Sequence, residues 1–164
     1  MKKVFTYIMI GLVLLLSALP VRAETGPLAG CQAPDLRLTT LAGKPLALQD
    51  YLGSKKVVLT FFTSWSKSSQ AQLKLLGEIA AAHPGDVQVL AVSFDKKTKQ
   101  LRSFLAAANP NFPVLHDRKL TASDAFQILI IPTTFCIGRD GVIAKVLVDY
   151  DENVKKALAE WLKD

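Results

Sequence analysis

The hydrophobic pattern changes period several times along the chain, and the sharpest change falls at Trp65. Residues 57–63 (Val-Val-Leu-Thr-Phe-Phe-Thr) form a run too short and too rich in β-branched and aromatic side chains for a helix, but suited to a strand covered on both faces. Beyond it, Leu73, Leu75, Leu76, Ile79 and Ala80 recur at spacings of three and four, which predicts an amphipathic helix over 67–82. Strand therefore feeds almost directly into helix, and the hydroxyls of Ser66, Ser68 and Ser69 stand where the helix begins. Read from the residues alone, Ser66 or Ser69 is a helix N-cap accepting one backbone N–H.

The remaining pattern alternates in the same way. Residues 86–94 carry Val87, Val89, Ala91 and Ser93 against Leu90 and Val92, a second central strand, and Asp95 is placed to cap a helix bearing Leu101, Phe104, Leu105 and Ala108. Residues 112–117 lead through a loop holding His116 and Asp117 to a short helix near 122–128. The segment 131–137 is followed by Arg139-Asp140-Gly141, the turn of a hairpin into 142–148, and 152–163 closes the chain as a helix packing through Val154, Leu158, Trp161 and Leu162. Strands alternating with helices of this length imply a mainly parallel sheet with crossover helices.

The start of the chain has a different character. Lys2 and Lys3 precede an apolar run over 4–19, then Pro20 and Val21-Arg22-Ala23, the pattern of a secretory signal peptide cleaved between Ala23 and Glu24. The expected organisation is a signal peptide over 1–23 and one domain over 24–164. An uncleaved membrane anchor is the alternative, although the run is short of the roughly 20 residues that span a bilayer. Leu28-Ala29-Gly30-Cys31 matches a lipobox in residue type, so a lipoprotein anchored through Cys31 is a second alternative; Arg22 and Glu24 interrupt the approach that such a box requires. Otherwise Cys31 lies in the approach to the first strand.

Removing Lys2, Lys3 and Arg22 lowers the formal charge from +6 to about +3, 17 basic against 14 acidic residues. That balance, with no basic stripe interleaved with aromatics, gives no indication of nucleic-acid binding. Lys96, Lys97 and Lys99 read as the solvated start of a helix.

Strand, Trp65 and a four-residue motif opening a helix together resemble the thioredoxin fold, and specifically the TlpA/ResA-like periplasmic thiol-disulfide oxidoreductases (redoxins). The resemblance extends over nearly the whole chain from Gln32. It implies an α/β, thioredoxin-like architecture: a central mixed, mainly parallel sheet flanked by helices, with an N-terminal β-hairpin over 33–53 turning at Gly43. It also implies that Pro132 is the cis-proline facing the motif, that Trp65 lies on the exposed rim, and that Trp65, Ser66, Lys67, Ser68, Ser69, Ile131 and Pro132 line a groove for extended segments of periplasmic proteins. An X-Pro bond there leaves the preceding amide and carbonyl free to pair with such a chain.

The chain departs from the family at the reacting atoms. Members carry Trp-Cys-x-x-Cys, whereas here the motif is Ser66-Lys67-Ser68-Ser69, and the position of the family's proton-transferring glutamate is Gln72. A helix N-terminus lowers the pKa of a thiol enough to make a nucleophile. A serine hydroxyl is far more basic and forms no disulfide, and an amide exchanges no proton at neutral pH. The expectation is an exported, non-catalytic protein-binding module with no cofactor and no metal. One alternative keeps oxidoreductase activity through Cys31 and Cys136, which could also form a structural bridge; another makes Ser66 a nucleophile, which needs a base that the motif does not show. Cys136, in a strand, reads first as a small buried residue. His83 near a helix end and His116 lack the spacing of a metal site.

Overall fold

The computed structural model describes residues 28–164. The predicted signal segment and its cleavage point lie outside the described residues. No described helix is long and apolar enough to cross a membrane.

Two short strands come first, β1 (Arg37–Thr39) and β2 (Pro45–Ala47), paired antiparallel around a turn in which the Gly43 amide donates to Thr40 O. This is the expected N-terminal hairpin. A five-stranded sheet follows in the order β5-β4-β3-β6-β7, formed by β3 (Lys56–Phe62), β4 (Val87–Ser93), β5 (Val114–His116), β6 (Thr133–Ile137) and β7 (Ile143–Val148). β3, β4 and β5 are parallel, joined by helix α1 (Lys67–Ala82) between β3 and β4 and α2 (Thr98–Ala108) between β4 and β5. β6 runs antiparallel to β3, and β7 antiparallel to β6. Helix α3 (Thr121–Ala125) precedes β6, and α4 (Glu152–Lys163) ends the chain.

The side-chain period of two along β3 divides the interior into two cores. Val57, Leu59 and Phe61 join Leu36, Leu48, Phe126 and Phe135 on one face, where Phe126 stacks 5.2 Å from Phe61 and 5.1 Å from Phe135 between ring centroids. Val58 and Phe62 pack on the other face with Leu73 and Leu76 of α1, Leu101 of α2, and Leu158 and Trp161 of α4. Full burial of each such side chain contributes about 2 kcal/mol. These contacts fix α1 and α4 over the residues that the apolar periodicity marked.

The loop at 28–33 lies along the β6–β7 turn: the Gly30 amide donates to Ile143 O, the Ile143 amide to Cys31 O and the Ala33 amide to Gly141 O. Gly141 is required there, with φ +82°, and a Cβ at this position would stand 2.8 Å from Gln32 Oε1.

Cys31 is exposed on this loop whereas Cys136 is fully buried in the α1/α4 core, and both are free thiols. The considered Cys31–Cys136 bridge is therefore not formed: Cys136 faces the side of the sheet covered by helices, and Cys31 lies in solvent beside the hairpin turn. His116 ends β5 rather than lying in a loop. Among the described residues, no three His, Cys, Asp or Glu side chains converge as a metal site would need.

Candidate functional site

β3 ends at Phe62, and after four intervening residues α1 begins, with Ser66 as its N-cap. Ser66 has extended backbone (φ −80°, ψ 123°), and its Oγ accepts the Ser69 amide at 3.3 Å. Its hydroxyl is thus committed to the first turn of the helix, the role that serine at this position suggests. Trp65 beside it is 62% exposed, and Lys67 is exposed.

Ser69 turns inward. It is fully buried, and its Oγ has no hydrogen-bond partner among the described residues. One turn on, buried Gln72 donates through Nε2 to Thr134 Oγ1; Thr134 donates to Thr60 Oγ1 at 2.9 Å, and Thr60 to Thr133 O at 3.4 Å. This line of side chains ties α1 to β6 and β6 to β3. Gln72 Oε1 and Thr63 Oγ1 are also buried without partners.

Pro132 reaches the site through strand register. Antiparallel pairing of Phe61 with Thr133 brings the preceding Pro132 to the end of β3, beside the loop that carries the motif. The Ile131–Pro132 bond is cis, as the resemblance implied. Pro132 is buried and its carbonyl accepts the Asp149 amide at 2.7 Å. The Ile131 amide and carbonyl make no hydrogen bond among the described residues, so this edge is open to an extended chain. Leu129 and Ile130, just before it, are 91% and 54% exposed.

The motif loop is held by a residue that the local pattern assigned elsewhere. Asp95, read from sequence as the cap of α2, does not cap it; Lys97 is the N-cap residue, with no side-chain hydrogen bond to the helix. The Asp95 carboxylate, 3% exposed, instead accepts Ser64 Oγ at 2.9 Å, the Ser64 amide at 2.8 Å and Ser93 Oγ at 2.7 Å. His116 Nε2 lies 2.8 Å from Asp95 O, and Gln70 Nε2 donates to Ser64 O at 2.7 Å. Ser64 is thereby gripped from β4 and α1 together. The available signal was the concentration of polar residues at the carboxyl ends of the strands, Thr63 and Ser64 after β3 and Ser93 and Asp95 at the end of β4.

The structure thus brings Trp65, Ser66, Lys67, Ser68, Ser69, Gln72, Ile131 and Pro132 to one end of the sheet, and leaves Cys31 and Cys136 apart from them. Burial pushes the Cys136 thiol from an ordinary 9.0 up to about 12, Lys145 and Lys56 offsetting only part of the effect. No thiolate forms there at physiological pH. Ser66 Oγ and Ser69 Oγ have no histidine or carboxylate as hydrogen-bond partner among the described residues, as a serine nucleophile would need.

A mixed sheet entered through a hairpin, a motif at the head of the first long helix and a cis-proline beside it define a thioredoxin-like protein of the redoxin class. The chain belongs to the AhpC/TSA family, whose model matches residues 29–146. It is 34% identical over 130 residues to thioredoxin-like protein YneN of Bacillus subtilis, covering 77% of this chain and 75% of that protein. It is 27% identical over 135 residues to thiol-disulfide oxidoreductase ResA of Bacillus thuringiensis, covering 82% and 76% respectively. Among solved structures it resembles one described as thiol:disulfide interchange protein DsbE of Chlorobium tepidum, with TM-score 0.76, 29% identity, and coverage of 82% of this chain and 95% of that one.

Proposed function

We propose that this protein is an exported thioredoxin-fold module that binds extended segments of extracytoplasmic proteins, without dithiol chemistry of its own, in thiol-redox or envelope protein maturation. One observation carries the reading. The recognition elements, exposed Trp65 and the open edge at Ile131–Pro132, remain around a motif whose first hydroxyl, Ser66, is spent on capping α1 and whose last, Ser69, is buried. A partner chain laid along Ile131 would pair with its free amide and carbonyl while a side chain rests on Trp65. The periplasm is the compartment that the leader and the family resemblance favour.

The rival reading, oxidoreductase activity through Cys31 and Cys136, is disfavoured by the buried thiol's pKa of about 12 and by the placement of the two residues on different parts of the fold. The test places a photo-crosslinking side chain at Ile131 in cells. Crosslinks to envelope proteins that disappear with Trp65→Ala support the proposal, and absence of any such adduct sinks it. Insulin reduction measured in parallel should remain at background, and activity abolished by Cys31→Ser would establish the rival.

A further inference from the structure

The apolar surface at the open edge does not end at Ile131. Three of the five large apolar side chains exposed among the described residues, Leu129, Ile130 and Val148, stand together just before the cis-proline and at the end of β7, and they rim a pocket of about 170 Å³. Buried Phe126, Phe135 and Val146 form its floor, so it opens onto the core that holds Leu36 and Leu48. None of its lining residues is charged, and its one buried polar residue, Thr133, spends its hydroxyl on Ile130 O at 2.7 Å. That bond and the one from the Asp149 amide to Pro132 O fix the loop on either side of Ile131. The pocket is thereby preformed, beside a backbone amide and carbonyl that have no partner among the described residues. Its volume falls below the roughly 300–1,000 Å³ of small-molecule sites and suits a single large side chain.

Resting on the binding-module reading, we infer that the bound segment seats one large apolar side chain, such as leucine, isoleucine or phenylalanine, in this pocket. Continuity with the Ile131 edge names the occupant. Ile130 and Thr133 line the pocket and flank Ile131-Pro132, so a segment paired with Ile131 carries a side chain to the pocket mouth within a residue or two, at about 3.3 Å per residue. A polar side chain would lose its water on entering and gain neither charge nor free hydrogen-bonding group in return. Exposed Trp65 is an open shelf that tolerates variety, whereas the pocket sets one position of the segment.

The experiment measures fluorescence anisotropy of the purified protein with a labelled nonapeptide of serine and threonine around one central leucine, and with the same peptide carrying glutamine there, a side chain of similar length. Burial of most of the leucine surface should give its peptide roughly tenfold tighter binding. That advantage should shrink to about threefold or less in Leu129→Ser and further in Leu129→Ser/Val148→Thr, both exposed rim positions, while the glutamine peptide binds these variants as it binds the wild type and so shows them folded. Equal binding of both peptides, lost in Trp65→Ala, would leave the module standing and overturn the apolar selectivity. A leucine advantage that survives the double change would place that side chain elsewhere and overturn the inference. Sedimentation of the peptide-free protein as a dimer that Leu129→Ser separates would give the pocket to a second copy, with the same consequence. If neither peptide binds at millimolar concentration, the binding-module reading fails, and this inference with it.

Discussion

Alanine at the two motif serines should change stability in opposite directions. Ser66 Oγ caps α1 by accepting the Ser69 amide, at 3.3 Å a long bond. Its loss costs about 0.5–1 kcal/mol, the low part of the range for a serine cap. Ser69 Oγ is fully buried and has no partner, and burying an unpaired hydroxyl costs about 1–3 kcal/mol. Removing the oxygen forfeits a handful of dispersion contacts of ~0.1–0.2 kcal/mol each. Ser69→Ala should therefore stabilise the protein by about 1 kcal/mol. With a urea slope near 2 kcal/mol/M, the midpoint rises by about 0.5 M for Ser69→Ala and falls by about 0.3–0.5 M for Ser66→Ala. Tryptophan emission reports the transition because Trp161 is buried in the α1/α4 core. Ser123→Ala supplies the contrast: that hydroxyl donates to Asp117 at 3.0 Å, and its removal should lower the midpoint. If Ser69→Ala lowers it as well, the Ser69 hydroxyl has a partner, such as a buried water, and the reasoning fails.

Three further outcomes follow from the same geometry. Asp95→Ala leaves three buried donors on Ser64 and Ser93 without an acceptor and should cost about 3 kcal/mol or more in urea unfolding; a loss below about 1 kcal/mol would mean that Asp95 does not hold the motif loop. Because burial raises the Cys136 pKa from 9.0 to about 12, the unfolded chain releases a proton that the folded one keeps, so stability is full below pH 9 and falls as pH rises from 9 toward 12, at up to about 1.4 kcal/mol per unit. Cys136→Val should remove that part of the slope, and an unchanged slope would refute the assignment. Ser66→Cys places a thiol on the α1 N-terminus, and the pH dependence of iodoacetamide labelling should give it a pKa below that of the unfolded protein's thiols labelled in parallel in urea; a value at or above theirs would deny the helix its activating role.

Much of the fold was legible because its signals are local. The apolar spacing of α1 and α4 yields the observed helices, the run ending at Phe62 yields β3, and Ser66 caps where a serine preceding such a helix should. Asp95 shows where locality ends. A carboxylate shortly before a helix is a good cap in isolation, but here it meets Ser64 from a loop 31 residues earlier, and three donors outweigh one end of a solvated helix. Ser93 Oγ is local, two residues before Asp95, but only the parallel pairing of β3 with β4, register Phe62 to Ser93, brings the two Ser64 donors to it. The cysteine pair failed for the same kind of reason: the alternation that turns Cys136 toward α1 and α4 is visible in sequence, but the docking of the Cys31 loop on the β6–β7 turn is not.

Gln72 gives a further test of whether this site has settled into a form without proton transfer. Its amide donates to Thr134, which donates to Thr60, which donates to Thr133 O, so each hydroxyl hydrogen in the line has a fixed direction. A glutamate can enter this line in two ways. Ionised, it offers no donor; Thr134 would turn its hydrogen toward the carboxylate and release Thr60, and a charge would stand at a position with no exposure to water. Protonated, it can donate to Thr134 and preserve the line. Gln72→Glu should therefore be near neutral at low pH. Burial raises the folded-state pKa above the ordinary value of about 4.3, so stability is retained below that value and lost as pH rises, by up to about 1.4 kcal/mol per unit until the folded carboxyl ionises. Urea midpoints for Gln72→Glu and wild type across about pH 4 to 8 measure this divergence. If the two run parallel across that range, the hydroxyl line is not polarised from residue 72, and the protein could accept a proton-transferring carboxylate at this position without penalty.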